Sequence, residues 1–121
     1  MQRKRILLVD DDKNIHKAIK ANLENTKYII DSAYNGEMAL EMIQDNKYTV
    51  LVTDIMMPQM NGLELLDKLS TKKQTIPTIV ITGTYFLATD FNLSYLGVKK
   101  IITKPFDFDE IKESIDMIFH K

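Results

Sequence analysis

The chain contains no cysteine among its 121 residues, so neither a disulfide nor a thiolate nucleophile or metal ligand is available to it. Net charge is nearly absent too, with sixteen basic against seventeen acidic residues and a formal charge of -1. Such a balance offers no electrostatic case for direct contact with nucleic acid, which usually wants a basic face. No apolar run approaches the roughly 20 residues of a membrane span. Arg3-Lys4-Arg5 before Ile6-Leu7-Leu8-Val9 imitates a secretory signal only briefly, because the apolar run is far shorter than the roughly 7–15 residues of an h-region and Asp10 ends it. Linkers, repeats and low-complexity segments are missing, so residues 1–121 read as one domain. What remains is ordinary: 45% hydrophobic and 27% charged residues, the balance of a globular domain with a real core, compatible with the cytoplasm.

Short apolar runs alternate with amphipathic stretches from end to end. Strands are expected near 5–10, 28–33, 49–54, 78–82 and 100–103. Most are continuous apolar runs, the pattern of strands covered on both faces. Tyr28-Ile29-Ile30-Asp31-Ser32-Ala33 is mixed and belongs at an edge. Helical spacing appears over 13–25, with Ile15, Ala18, Ile19 and Asn22 on one face beside Leu23. It recurs over 36–45 (Ala39, Leu40, Ile43) and over 62–71 (Leu63, Leu66, Leu69), the latter after the turn-like Pro58-Gln59-Met60-Asn61. In a helix over 84–96, Leu87, Ala88, Phe91 and Tyr95 fall on a core side, while Phe86 and Leu93 share the opposite face. That pair is either an exposed partner contact or core packing on a helix rotated from this phase. A last helix starts at Asp107, an N-cap with Glu110 three residues on, and carries the stripe Ile111, Ile115 and Ile118. The order βαβαβαβαβα with short connections predicts a doubly wound α/β domain: a five-stranded parallel sheet of order 2-1-3-4-5, helices on both faces.

Sheets of this kind bind ligands beyond the carboxyl ends of their strands, where the strand order reverses. With order 2-1-3-4-5 that point lies between the first and third strands, which end in Asp10-Asp11 and Asp54. Lys104 ends the fifth. Clustered carboxylates repel one another unless a cation sits among them. An all-oxygen set without Cys or His suits a hard ion such as Mg2+, and the lysine opposite can receive a second anion.

Four motifs in register then carry a resemblance: Ile6-Leu7-Leu8-Val9-Asp10-Asp11-Asp12, Thr53-Asp54-Ile55-Met56-Met57-Pro58-Gln59-Met60-Asn61-Gly62, Ile81-Thr82-Gly83 and Thr103-Lys104-Pro105-Phe106. In order and spacing they resemble the receiver domains of two-component response regulators, single-domain receivers of chemotaxis and sporulation relays included, over the whole chain. The resemblance implies a flavodoxin-like fold and a phospho-acceptor switch. Asp54 would take a phosphoryl group from a histidine kinase's phosphohistidine. Asp11, Asp54 and the backbone carbonyl of Met56 would ligate Mg2+ directly, with Asp10 acting through an ordered water. Lys104 and the Thr82 hydroxyl would bind phosphoryl oxygens, and Gly83 would leave room for the group. Implied partners are a sensor histidine kinase or histidine phosphotransfer protein and a downstream protein target, with no direct nucleic-acid contact and no membrane insertion. A homodimer through the 84–103 and last-helix face is one candidate assembly. Such a protein is not a turnover enzyme, although it assists its own phosphorylation and dephosphorylation.

One position departs from the family. Ile101, three residues before Lys104, stands where receivers often carry a Tyr or Phe that turns inward on activation. Two other classes compete. A Mg2+-dependent phosphohydrolase of the haloacid-dehalogenase type also uses an aspartate nucleophile, but its Asp-x-Asp is followed by Thr or Val, whereas here Lys13-Asn14 follow and no cap insertion exists. A phosphorylation-independent interaction module would not need the full set of Asp10, Asp11, Asp54, Thr82 and Lys104. Asp12 is expected to cap a helix, Met56, Met57 and Met60 to pack within a loop, and His16 and His120 to be solvated.

Overall fold

Successive side chains of a strand point to opposite faces, so an unbroken apolar run is fully buried only when both faces are covered. The computed structural model, which describes residues 4–24, 26–83 and 93–119, has this arrangement. Strands β1 (Lys4–Val9), β2 (Tyr28–Ala33), β3 (Val50–Asp54), β4 (Thr78–Thr82) and β5 (Val98–Thr103) pair in parallel in the order β2-β1-β3-β4-β5. Leu7, Val9, Leu51 and Val80 face one core, packed with Ala39 and Ile43 of helix α2 (Gly36–Asp45) and with Leu65, Leu66 and Leu69 of α3 (Gly62–Thr71). Ile6, Leu8, Val50, Val52, Ile79 and Ile81 face the other, against Ile19 and Leu23 of α1 (Lys13–Leu23) and Ile111 and Ile115 of α4 (Phe108–Phe119). The expected fold class, sheet order and edge position of β2 all hold. No helix among the described residues is long and apolar enough to cross a membrane.

Each helix begins at a side chain that occupies its free amides. Asp12 accepts from Asn14 N at 2.9 Å, as expected, and Asn35 accepts from Met38 N at 2.8 Å. Asn61 and Glu64 form a reciprocal capping box on α3. Asp107 accepts from the Asp109 amide at the start of α4.

Three expectations need correction. Leu93 is buried (7% exposed) and packs with Leu96, Val98 and Ile76, whereas Tyr95 is 73% exposed. Core packing is the reading that holds for Leu93, and Tyr95 leaves the core side expected of it, because the chain here forms a 3-10 turn over Ser94–Leu96, closed by Gly97 at a left-handed φ of 87°, and not the end of an α-helix. A 3-10 turn advances about 120° per residue, which breaks the assumed phase. The rest of the 84–96 segment, Phe86 included, lies outside the described residues. Strand β5 also begins at Val98, two residues before the expected start at 100, with Val98 and Lys100 pairing against Thr78 and Ile79 of β4 and the register shifting at Lys99 between them. Lys99 and Lys100 are exposed, and charged side chains on an edge strand discourage pairing with other chains. Asn22, placed on the buried face of α1, is exposed and bonds back to the Ala18 carbonyl.

Edge strand β2 is fastened by a polar bridge. Asp31 accepts from Arg5 at 2.7 Å and from the Tyr48 hydroxyl at 2.8 Å. Burial alone would raise the Asp31 carboxyl, but these two donors outweigh it and hold it below the usual range. A depressed folded-state pKa contributes stability above the unfolded value, about 3.9, and that stability is lost as pH falls through the folded value. The melting temperature of the wild type is therefore expected to drop more steeply than that of Asp31→Asn on acidification below about pH 4. Parallel curves from neutral to strongly acid pH would show that the bridge carries no such linkage.

Candidate functional site

Adjacent parallel strands bring their carboxyl ends together, and the register does the rest. Val9 lies opposite Thr53, so the residues that follow them, Asp10 and Asp54, are neighbours at the sheet edge. Asp10 is held at every polar group: its amide donates to Ala33 O (3.2 Å), its carboxylate accepts from Asp12 N (2.9 Å), and its carbonyl oxygen lies 2.7 Å from His16 Nε2. Asp11 follows on the exposed side. Asp54 accepts at Oδ1 from Met56 N (3.2 Å) and at Oδ2 from Lys104 Nζ (2.8 Å). The Met56 side chain points away and is 66% exposed, unlike Met57 and Met60, which pack in the loop as expected.

Lys104 starts two strands away from Asp54, about 10 Å at the ~4.8 Å spacing of neighbouring strands. Only a long side chain crosses that gap. Its backbone amide donates to Thr82 O at 2.9 Å, continuing the β4–β5 ladder by one residue, and its ammonium also lies 3.5 Å from Asp10 Oδ2. The Lys104–Pro105 peptide is cis. Thr82 ends β4 fully buried, and a Cβ added to Gly83 would meet no atom within 4 Å among the described residues. All the residues expected to form the site therefore gather at one edge.

The electrostatics match the geometry. Side-chain exposure is 2% for Asp10 and 7% for Asp54. Burial raises the Asp10 carboxyl, and the opposing effects of the Asp12 amide and Lys104 do not fully cancel it. Burial would lower Lys104, but its bond to Asp54 and the charges of Asp10 and Asp54 win, so the ammonium stays charged. One carboxylate oxygen from each of Asp10, Asp11 and Asp54 lies within 4.8 Å of the other two. Three carboxylates against one ammonium leave an excess of negative charge. A purely oxygen donor set, buried on one side and open at Asp11, fits a small hard cation that keeps part of its water shell.

His16 was expected to be solvated and is instead 3% exposed. Nδ1 lies 2.8 Å from Ser32 Oγ, and the ring packs 4.6 Å from that of Tyr34. The signal was present in the spacing, since His16, Ile19 and Leu23 follow one another at helical intervals and all three are buried. Burial lowers its pKa, against the pull of the Asp10 carbonyl and charge. His120 lies outside the described residues.

Known proteins agree with this geometry. The response regulator receiver domain family matches residues 6–116. Response regulator ArlR of Staphylococcus saprophyticus is 36% identical over 110 residues, covering 88% of this chain and 48% of that protein. Transcriptional regulatory protein CrdR of Helicobacter pylori is 33% identical over 119 residues, covering 98% of this chain and 56% of its own length. The chain thus spans about half the length of the curated relatives it matches. Response regulator protein TrrA of Thermotoga maritima, solved in complex with Mg(2+)-BeF, superposes with a TM-score of 0.82 at 36% identity, over 95% of this chain and 98% of that one. With the fold, the acidic edge and the family match over residues 6–116 in agreement, the chain belongs to the response regulator receiver domain family.

Proposed function

We propose that residues 1–121 act as one phospho-acceptor receiver, a cytoplasmic switch in which Asp54 takes a phosphoryl group from the phosphohistidine of a sensor kinase or phosphotransfer protein. The observation that carries this reading is the position of Asp54: at the end of β3, 2.8 Å from Lys104 and clustered with Asp10 and Asp11. An Asp54 carboxylate oxygen forms the new bond to phosphorus while the P–N bond to the donor imidazole breaks, its electron pair leaving with the nitrogen. Asp11, Asp54 and the Met56 carbonyl would hold Mg2+ directly, with Asp10 behind a water; bound there, the ion would offset the charge of carboxylate and phosphoryl oxygens. Lys104 exchanges its Asp54 contact for a phosphoryl oxygen, since its stem is flexible and its charge compact. The Thr82 hydroxyl takes another, and Gly83, where an added Cβ would meet no atom within 4 Å among the described residues, leaves room for the group. The solved relative TrrA, in complex with Mg(2+)-BeF, supports such a pocket.

The modification brings about two negative charges to an edge where Lys104 had balanced carboxylates alone. A shift of Thr82 and Lys104 toward the group would move the segment after β4 and change the partner-binding face. Ile101 packs against the apolar core and carries no ring to swing, so the readout runs through Thr82 and Lys104.

Mass spectrometry after incubation with Mg2+ and a small-molecule phosphodonor tests the proposal. One phosphoryl group is expected, and chelation of Mg2+ with EDTA should prevent its uptake. Turnover of generic phosphate esters would favour a phosphohydrolase instead. No uptake from a small donor or from any cognate kinase would overturn the switch in favour of a phosphorylation-independent module.

A further inference from the structure

The buried histidine has no part in the phosphoryl chemistry, yet it touches the backbone of the acidic pair. A carbonyl oxygen can only accept, so the 2.7 Å contact with Asp10 O places the imidazole proton on Nε2. In the neutral ring Nδ1 is then an acceptor, and its 2.8 Å contact is filled by the Ser32 hydroxyl of β2. The contacts thus select one tautomer, and Tyr34 packs against the ring.

The clamped carbonyl belongs to the peptide unit that joins Asp10 to Asp11. Peptide units are planar. Fixing that oxygen therefore fixes the plane from which the Asp11 Cα, and with it the exposed carboxylate, departs. The other side of Asp10 is held by its amide bond to Ala33 O, also on β2. The first turn of the β1–α1 connection is thereby anchored to the edge strand at the Asp10 amide through Ala33 and at its carbonyl through His16 and Ser32. Helix α1 supplies the imidazole from a buried position next to the turn of Ile19 and Leu23.

We infer that Ser32 and His16 form a positioning relay that orients the Asp10–Asp11 peptide, and so sets how well the acidic pair binds Mg2+. The inference rests on the reading of Asp10 and Asp11 as the metal-binding pair. His16 is a positioning residue, touching neither the ion nor the phosphoryl group.

The test is a calorimetric Mg2+ titration of the folded chain, with thermal unfolding measured in parallel. His16→Leu keeps an apolar side chain in α1 but removes both bonds, and should weaken Mg2+ binding about tenfold, the scale seen when a partner that orients a metal ligand is lost. His16→Gln offers an N–H near the Nε2 position and should restore affinity to within about threefold of wild type. Ser32→Ala, which leaves the imidazole but frees its Nδ1, should fall about two- to threefold. A histidine that served packing alone would lower the melting temperature and leave the affinity of the folded protein unmoved. Wild-type affinity in folded His16→Leu would overturn the inference; if that variant does not fold, wild-type affinity in Ser32→Ala would do so. Absence of Mg2+ binding in the wild-type chain would remove this inference and the reading beneath it together.

Discussion

Asp54→Asn is expected to abolish phosphoryl uptake while leaving the domain folded. Asn has nearly the same shape, and its single amide oxygen can still accept from one of the two donors that Asp54 now holds, Met56 N or Lys104 Nζ. It cannot supply the carboxylate oxygen that forms the bond to phosphorus. The variant also removes one of three clustered carboxylates, so Mg2+ binding should weaken. Mutual repulsion between that group and the buried Asp10 is relieved while the ion pair of Asp54 with Lys104 is lost, so the metal-free melting temperature should change little. The measurement is mass spectrometry of wild type and variant after equal exposure to Mg2+ and phosphodonor, beside thermal unfolding of both. Equal uptake by the two proteins would mean that another side chain accepts the group, and the role given to Asp54 would have to be abandoned.

Gly62→Ala should be the most damaging small substitution near the site. A Cβ at that position would lie 2.2 Å from the Asp54 carbonyl oxygen and 3.0 Å from Ile55 Cα. Both are backbone atoms of the strand end that carries the acceptor, so no side-chain rotation relieves the clash. The close approach is also required for fold continuity, because the Gly62 amide donates to Ile55 O at 2.9 Å as α3 begins. Forcing extra volume into such a contact costs about 3 kcal/mol, which for a domain of this size lowers the melting temperature by about 10–20 °C. Because the displaced atoms belong to Asp54 and Ile55, phosphoryl uptake by whatever fraction remains folded should fall as well. Gly83→Ala is the matched control: its added Cβ meets nothing within 4 Å among the described residues, and its stability should change by less than about 0.5 kcal/mol. Similar melting temperatures for the two variants would show that the Gly62 contact relaxes freely.

Some of the site was readable because its information is local. Asp10, Asp54 and Lys104 each close a strand, and a strand announces itself by a short apolar run with a polar stop. The parallel order then forces those stops onto one edge, which is why the acidic cluster could be anticipated from spacing alone. His16 was misjudged for the opposite reason. Its spacing from Ile19 and Leu23 marks the buried face, but taken singly a histidine in a helix reads as solvated, and the partners that satisfy its ring, Ser32 of β2 and the Asp10 carbonyl, are brought to it only by the fold. Tyr95 failed through the period assumed: a 3-10 turn ended by Gly97 turns Leu93 and Leu96 inward and Tyr95 out, which selects the core-packing reading of Leu93.

The linear chain by itself determined the alternation of strands and helices, the caps at Asp12 and Asp107, and the placing of three carboxylates and a lysine at strand ends. Each of these follows from hydrogen bonding and burial within about a dozen neighbouring residues. Tertiary structure decided what those groups do to one another. It set Lys104 on Asp54 across the end of β4, left Asp10 buried beside an exposed Asp11, and fixed the peptide between them through His16. The reason is that these contacts join residues brought together by crossovers between parallel strands, and the register of those strands is settled by packing on both faces of the sheet.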